Sequence, residues 1–213
     1  MRALLNVLTV ILISTTSCVL TQRPTVTEVF LLDPPITLEQ PLKHTLLKGT
    51  KILIAEIGAS QLIKTNSIIF GRDSMTRGKY QYSEWETPVP IRLQRIVASA
   101  LQSSNQFSIV TQDPLVGIPT WKLSLDLKDF YHDAQTIPGS IVVRINANLL
   151  SPKDNTAINT ATFEIRKIAQ SFDAHGAVFS MNKAVTELVP KIVDWTVAEI
   201  SSIQYRTAAK AHS

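Results

Sequence analysis

The single cysteine of this chain, Cys18, stands directly behind a short uncharged apolar segment and a positively charged start, Met1-Arg2. Residues Ala3 to Ile13 carry no charge, and Ser14-Thr15-Thr16-Ser17 supply the small polar residues that a signal peptidase accepts. The apolar segment is too short to span a bilayer. This order of features predicts a bacterial lipoprotein signal over residues 1–17, with the Cys18 thiol taking up acyl chains of the palmitate type and becoming the new N-terminus. An ordinary secretory peptide with an incidental cysteine is the competing reading. An acylated Cys18 leaves no thiol for a disulfide, a nucleophile or a thiolate metal site, so the fold must be held by packing alone. Val19 rather than aspartate follows the cysteine, which favours anchoring in the outer membrane, facing the periplasm.

About 195 of the 213 residues remain after such cleavage, enough for one domain with a real core. Loss of Arg2 leaves 20 Lys plus Arg against 17 Asp plus Glu, a net charge of +3. That excess is too small and scattered for a nucleic-acid partner. Organisation is expected as an anchored segment with the first strand over 18–45, a domain over 46–205 and a tail over 206–213.

Glu28 to Pro35 reads as a strand closed by a double proline, and Lys51 to Ile57 as a central strand stopped by Gly58. Ser67–Arg72 and Lys79–Ser83 flank a turn-rich stretch and predict a hairpin. Thr87 as N-cap and Pro88 at the first helical position open a helix with Leu93, Ile96, Val97, Ala100 and Leu101 on one face. A short strand at 107–110 and three longer strands, 121–131, 141–150 and 161–169, follow, the long ones joined by turn signals that point to antiparallel neighbours. From Gly176 onward, Val178, Met181, Val185, Leu188, Ile192 and Trp195 mark a long C-terminal helix, with Pro190 predicting a kink or a split. The fold class expected is α+β: a two-layer sandwich of one mostly antiparallel sheet with both helices packed on one face.

Chemistry-bearing motifs are sparse. His44, His132, His175 and His212 are far apart, with no metal-binding i, i+4 pair, and no nucleophile elbow, Walker loop or dinucleotide turn occurs. His132-Asp133 is the best acid–base candidate, yet it is expected in a solvated turn where a strand ends, and replacing either by Ala is expected to leave function intact. Asp126 with Asp129, and Glu84 with Glu86, read as solvated carboxylates. No catalytic residue, metal or cofactor is expected.

Several stretches together resemble the ABC-type transport auxiliary lipoproteins, the PqiC-like group. They are Cys18; Phe30-Leu31-Leu32-Asp33-Pro34; Ile69 to Asp73, followed by Tyr80, Tyr82-Ser83-Glu84-Trp85-Glu86 and Pro88 before a helix; Leu123, Leu125, Leu127 and Phe130; and Phe163 with a final helix through Ile192-Val193-Asp194-Trp195. The resemblance, spanning about residues 18–200, implies a noncatalytic periplasmic component of a system that moves lipids between the two membranes. The implied partners are an MCE-domain protein, ABC transporter subunits, the membrane through the anchor and further copies of the chain. A structural lipoprotein that assists assembly of an outer-membrane complex or the cell wall is the alternative.

Phe70, Tyr80, Tyr82 and Trp85 gather aromatics of the kind that dominate interface energetics. They are the candidates for partner or lipid contact, although Trp85 can equally close the core beneath the first helix. Trp121 and Trp195 are expected in the core. The hairpin tip, with Arg72, Arg77 and Lys79, could meet an acidic surface.

Overall fold

The computed structural model describes residues 26–38, 47–151 and 153–211. Its organising strand is β7 (Trp121–Asp133), whose side chains alternate between core and solvent: Trp121, Leu123, Leu125 and Leu127 are buried, then Phe130 and His132. The step from Leu127 to Phe130 is a bulge, in which Lys128 is the extra residue against β8 (Ser140–Leu150). A bulge shifts the two-residue period by one, so everything after it faces the side opposite to that extrapolated from before it.

One edge of β7 carries a long antiparallel ladder with β8, which in turn pairs antiparallel with β9 (Ala157–Ile168). The other edge is shared by three strands in succession, all parallel to it. β2 (Leu47–Ile54) pairs with its beginning, β3 (Gly58–Ala59) with its middle and β4 (Ser67–Gly71) with its end. Beyond β2 lies β6 (Phe107–Thr111), parallel. Beyond β4 lie the antiparallel β5 (Gly78–Trp85) and, on the outside, β1 (Glu28–Phe30), parallel to β5. The α+β class is as expected, but the nine-stranded sheet is mixed rather than mostly antiparallel: five of its eight ladders are parallel. The predicted hairpins are the antiparallel pairs. The parallel ones join segments distant in sequence, for which no turn signal exists.

Helix α1 (Val89–Ser103) starts later than the Thr87/Pro88 reading. Pro88 is its N-cap residue, no side chain caps it, and Pro90 occupies the first turn, where its missing N–H leaves no bond unmade. Asn105, left-handed at φ 54°, closes it. Helix α2 (Ala174–Ala211) is one continuous helix of 38 residues, about 57 Å long. It is not split at Pro190, and residues 206–211, expected as tail, extend it. Loss of a backbone bond at a mid-helix proline costs ~3 kcal/mol, whereas Leu188, Val189, Ile192 and Val193 beside it are fully buried and contribute ~1.5–3 kcal/mol each. Packing wins. The helix N-terminus is capped by Asp173, whose carboxylate accepts the Gly176 N–H (2.7 Å). Backbone hydrogen bonding and the Ser171 hydroxyl hold the Asp173 carboxyl below the ordinary range.

Residues from both helices and the inner face of the sheet form one hydrophobic cluster. Both helices also grip the segment after β1. Arg92 of α1 donates from Nε to the Leu32 carbonyl (2.8 Å) and pairs with Asp33 (2.5 Å), while Asn182 of α2 accepts the Asp33 N–H (2.8 Å) and donates to the Leu31 carbonyl (3.3 Å). The Phe30-to-Pro34 stretch is thus the point where β1, α1 and α2 meet.

Candidate functional site

Cys18, the expected acylation site, lies outside the described residues, as do His44 and His212. The four aromatic candidates separate. Trp85 is 1% exposed and packs edge-on against Phe130 in the core (6.2 Å between rings), so it offers no surface to a partner. Tyr82 is 46% exposed on β5. Phe70 and Tyr80 come together at 5.1 Å, both half-buried. Gly78 makes room for this pair, since a Cβ there would stand 2.7 Å from the Phe70 ring.

The residue that joins this cluster to the core is His132. It is fully buried and belongs to β7, not to a solvated turn. Its Nδ1 is 2.7 Å from the Tyr80 hydroxyl, its Nε2 is 2.8 Å from the Pro138 carbonyl, and the Phe172 ring packs edge-on at 5.8 Å. A carbonyl can only accept, so Nε2 carries the proton; in the neutral imidazole, Nδ1 then accepts from the Tyr80 O–H. Gly139 is required here on two counts: its φ is +83°, and a Cβ would lie 2.5 Å from His132 Nε2. With both imidazole nitrogens engaged, the arrangement holds the β7 end, the β4–β5 hairpin and the start of α2 together, and it presents no free lone pair to a substrate.

Burial pushes the Tyr80 phenol up to about 12, with Asp173 adding to the rise and Arg72 opposing it. Unfolded, the same phenol ionises near its usual ~10. Protons are therefore held more tightly by the folded state between these values, and stability present below about pH 10 is lost as pH rises toward 12. In an ultraviolet titration of the native protein, one of the four tyrosines is expected to ionise near pH 12, and in Tyr80→Phe that late step disappears. A late step that persists in Tyr80→Phe contradicts the assignment.

Of the paired carboxylates, Asp126 and Asp129 are held in ion pairs. Asp126 pairs with Lys128, and Asp129 receives Arg144 Nε at 2.7 Å. His175 packs edge-on against Phe30 (4.9 Å between rings) and contacts Glu28 (3.0 Å). Among the described residues no three His, Cys, Asp or Glu side chains gather into a metal-binding set. Trp121 is buried; Trp195 is half-buried against Phe163.

A mixed sheet and two helices thus enclose a buried aromatic–imidazole hub. The sequence model of the ABC-type transport auxiliary lipoprotein component matches residues 30–193, and the chain belongs to that family. Among solved structures, a protein of the DUF330 family from Xanthomonas campestris superposes with a TM-score of 0.72 at 20% identity, over 84% of this chain and 99% of that one. An uncharacterised protein superposes at 0.61 with 13% identity, over 79% and 97%. Both show the fold. A PelC dodecamer from Paraburkholderia phytofirmans aligns at 0.47 with 12% identity, over 71% and 90%, too distant to inform assembly. No functionally curated protein matches the sequence.

Proposed function

We propose that this protein is a noncatalytic, lipid-anchored periplasmic component of an ABC transport system that contains an MCE-domain subunit and moves lipids between the inner and outer membranes, tethered by Cys18 to the outer one. The observation that carries this reading is the family match over 30–193, placed directly behind the charged start, apolar run and lone cysteine of residues 1–18. A permanently tethered domain whose most enclosed imidazole serves as a packing hub acts by contact. The contact is assigned to the outer side of β5 and β1. Val29 and Glu84 are register partners there, so Tyr82, two residues from Glu84, shares a face with Val29, and both are exposed.

The test is crosslinking in intact cells followed by recovery of the protein. Transporter and MCE-domain subunits are expected in the recovered material. Truncating an aromatic anchor commonly costs ~2 kcal/mol, roughly thirtyfold in affinity, so Tyr82→Ala is expected to lose most of that recovery. Recovery of cell-wall synthases in place of transporter subunits overturns the function; undiminished recovery by Tyr82→Ala overturns the contact site alone.

A further inference from the structure

At the beginning of β7, far from the His132 hub, the β6–β7 connection and the β8–β9 turn border a cleft of about 760 Å³. Leu53 and Lys122 are register partners across β2 and β7 and lie on the sheet face opposite the helices, since Ile52 and Leu123 on either side point into the core. Leu53 and Ile158 line the base, Trp121 borders it from the core side, and Pro114, Ile118 and Pro119 lie along the connection. Its volume falls within the range of small-molecule sites, and its lining is mainly apolar, as theirs is.

Two further features give the cleft a chemical character. The connection exposes aliphatic side chains without any aromatic: Leu115 is 89% and Ile118 87% exposed, which suits an alkyl chain rather than a stacked ring. Lys122 and Lys153 border it, and the ammonium of Lys51 lies behind the loop, 3.5 Å from where a Gly117 Cβ would stand. Lys122 donates to Asn155 (3.0 Å), but none of the three lysines pairs with a carboxylate of the described residues. The nearby Asp113 and Asp154 are engaged by the Leu115 N–H and by Thr156.

We propose that this cleft binds a single amphiphile with an alkyl chain and an anionic head, the chain lying on Ile118 and Ile158 and the carboxylate or phosphate meeting Lys122 and Lys153. This deepens the lipid-transport reading and rests on it for biological meaning, though the chemistry of the cleft stands separately. The test uses the full chain with Cys18→Ala, which keeps every residue of the fold, and follows quenching of tryptophan fluorescence by dibromostearate, brominated phosphatidylglycerol and brominated phosphatidylcholine. One or both anionic probes are expected to quench at least tenfold more tightly than phosphatidylcholine; quenching by dibromostearate alone assigns a carboxylate head, by phosphatidylglycerol alone a phosphate. Trp121→Phe is expected to remove most of the quenched signal, because Trp121 borders the cleft, whereas Trp85 is enclosed in the core and Trp195 lies on α2 against Phe163. Lys122→Glu with Lys153→Glu is expected to abolish the anionic preference, and Ile118→Asp, at an exposed position, to weaken binding at least tenfold with an unchanged melting temperature. Absence of quenching by both anionic probes, or equal quenching in Ile118→Asp, overturns the proposal. If Ile118→Asp instead loses transporter subunits in the crosslinking experiment while no probe quenches, the surface belongs to a protein partner, and the transport reading survives without the cleft.

Discussion

Replacing His132 with Ala lowers the thermal unfolding midpoint by roughly 6–12 °C, at a cost of ~3 kcal/mol and 2–4 °C for each kcal/mol in a domain of this size. Two effects add. The substitution strands the Tyr80 hydroxyl and the Pro138 carbonyl, which His132 now satisfies, and an unpaired buried group costs ~1–3 kcal/mol. It also opens a void between Phe172 and the core, which the packed surroundings fill only in part. Asp133→Ala, one residue along, touches only a 4.0 Å contact with Arg166 and two exposed hydrogen bonds from Gln135, and stays within ~1 kcal/mol. Either replacement is still expected to leave function in the cell intact wherever the protein stays folded, so any loss in His132→Ala follows from lost fold. Circular dichroism melts of the two variants decide the matter. Equal midpoints would remove His132 from its structural role.

Cys18→Ala shifts the protein from the membrane fraction to the soluble periplasmic fraction. Each buried methylene contributes ~0.8 kcal/mol, so two or three acyl chains hold essentially all of the protein on the membrane, and their loss releases essentially all of it. Seven residues lie between Cys18 and Val26, where the described structure begins, a reach of at most ~29 Å. Release from the membrane is therefore expected to abolish transport even though the domain folds and melts as before. Fractionation, together with the mass of the N-terminal peptide, reads the outcome; a Cys18→Ala protein that still sediments with membranes refutes the anchor.

Local signals were legible where neighbouring segments pair with one another. The β4–β5 hairpin, the β7–β8–β9 meander and the long last helix each follow from alternation, turn residues and three-to-four spacing. What could not be read were the pairings of β2, β3 and β4 with β7, which join distant segments and leave no mark at either end. His132 was misplaced for a narrower reason. Extrapolating the alternation of Leu123, Leu125 and Leu127 places 129 and 131 in the core, and only the bulge at Lys128 hands that position to Phe130 and His132. The hint lay in Phe130 itself, an apolar residue out of step. Trp85 was ambiguous because an aromatic before a helix serves equally as core and as contact.

Helix α2 supplies Met181, Leu188, Ile192, Val197 and Ile200 to the single core, and Gln204 near its end donates to Thr50 across 154 residues of chain. Contacts so distant in sequence form slowly, because the intervening loop must be closed before they reward it. A chain leaving the cytoplasm N-terminus first cannot complete this core until its last segment has followed. On the proposed acylation of Cys18, that residue therefore reaches the modifying and cleaving enzymes on a chain still unfolded behind it, and attachment to the membrane precedes the folding of the domain it would tether.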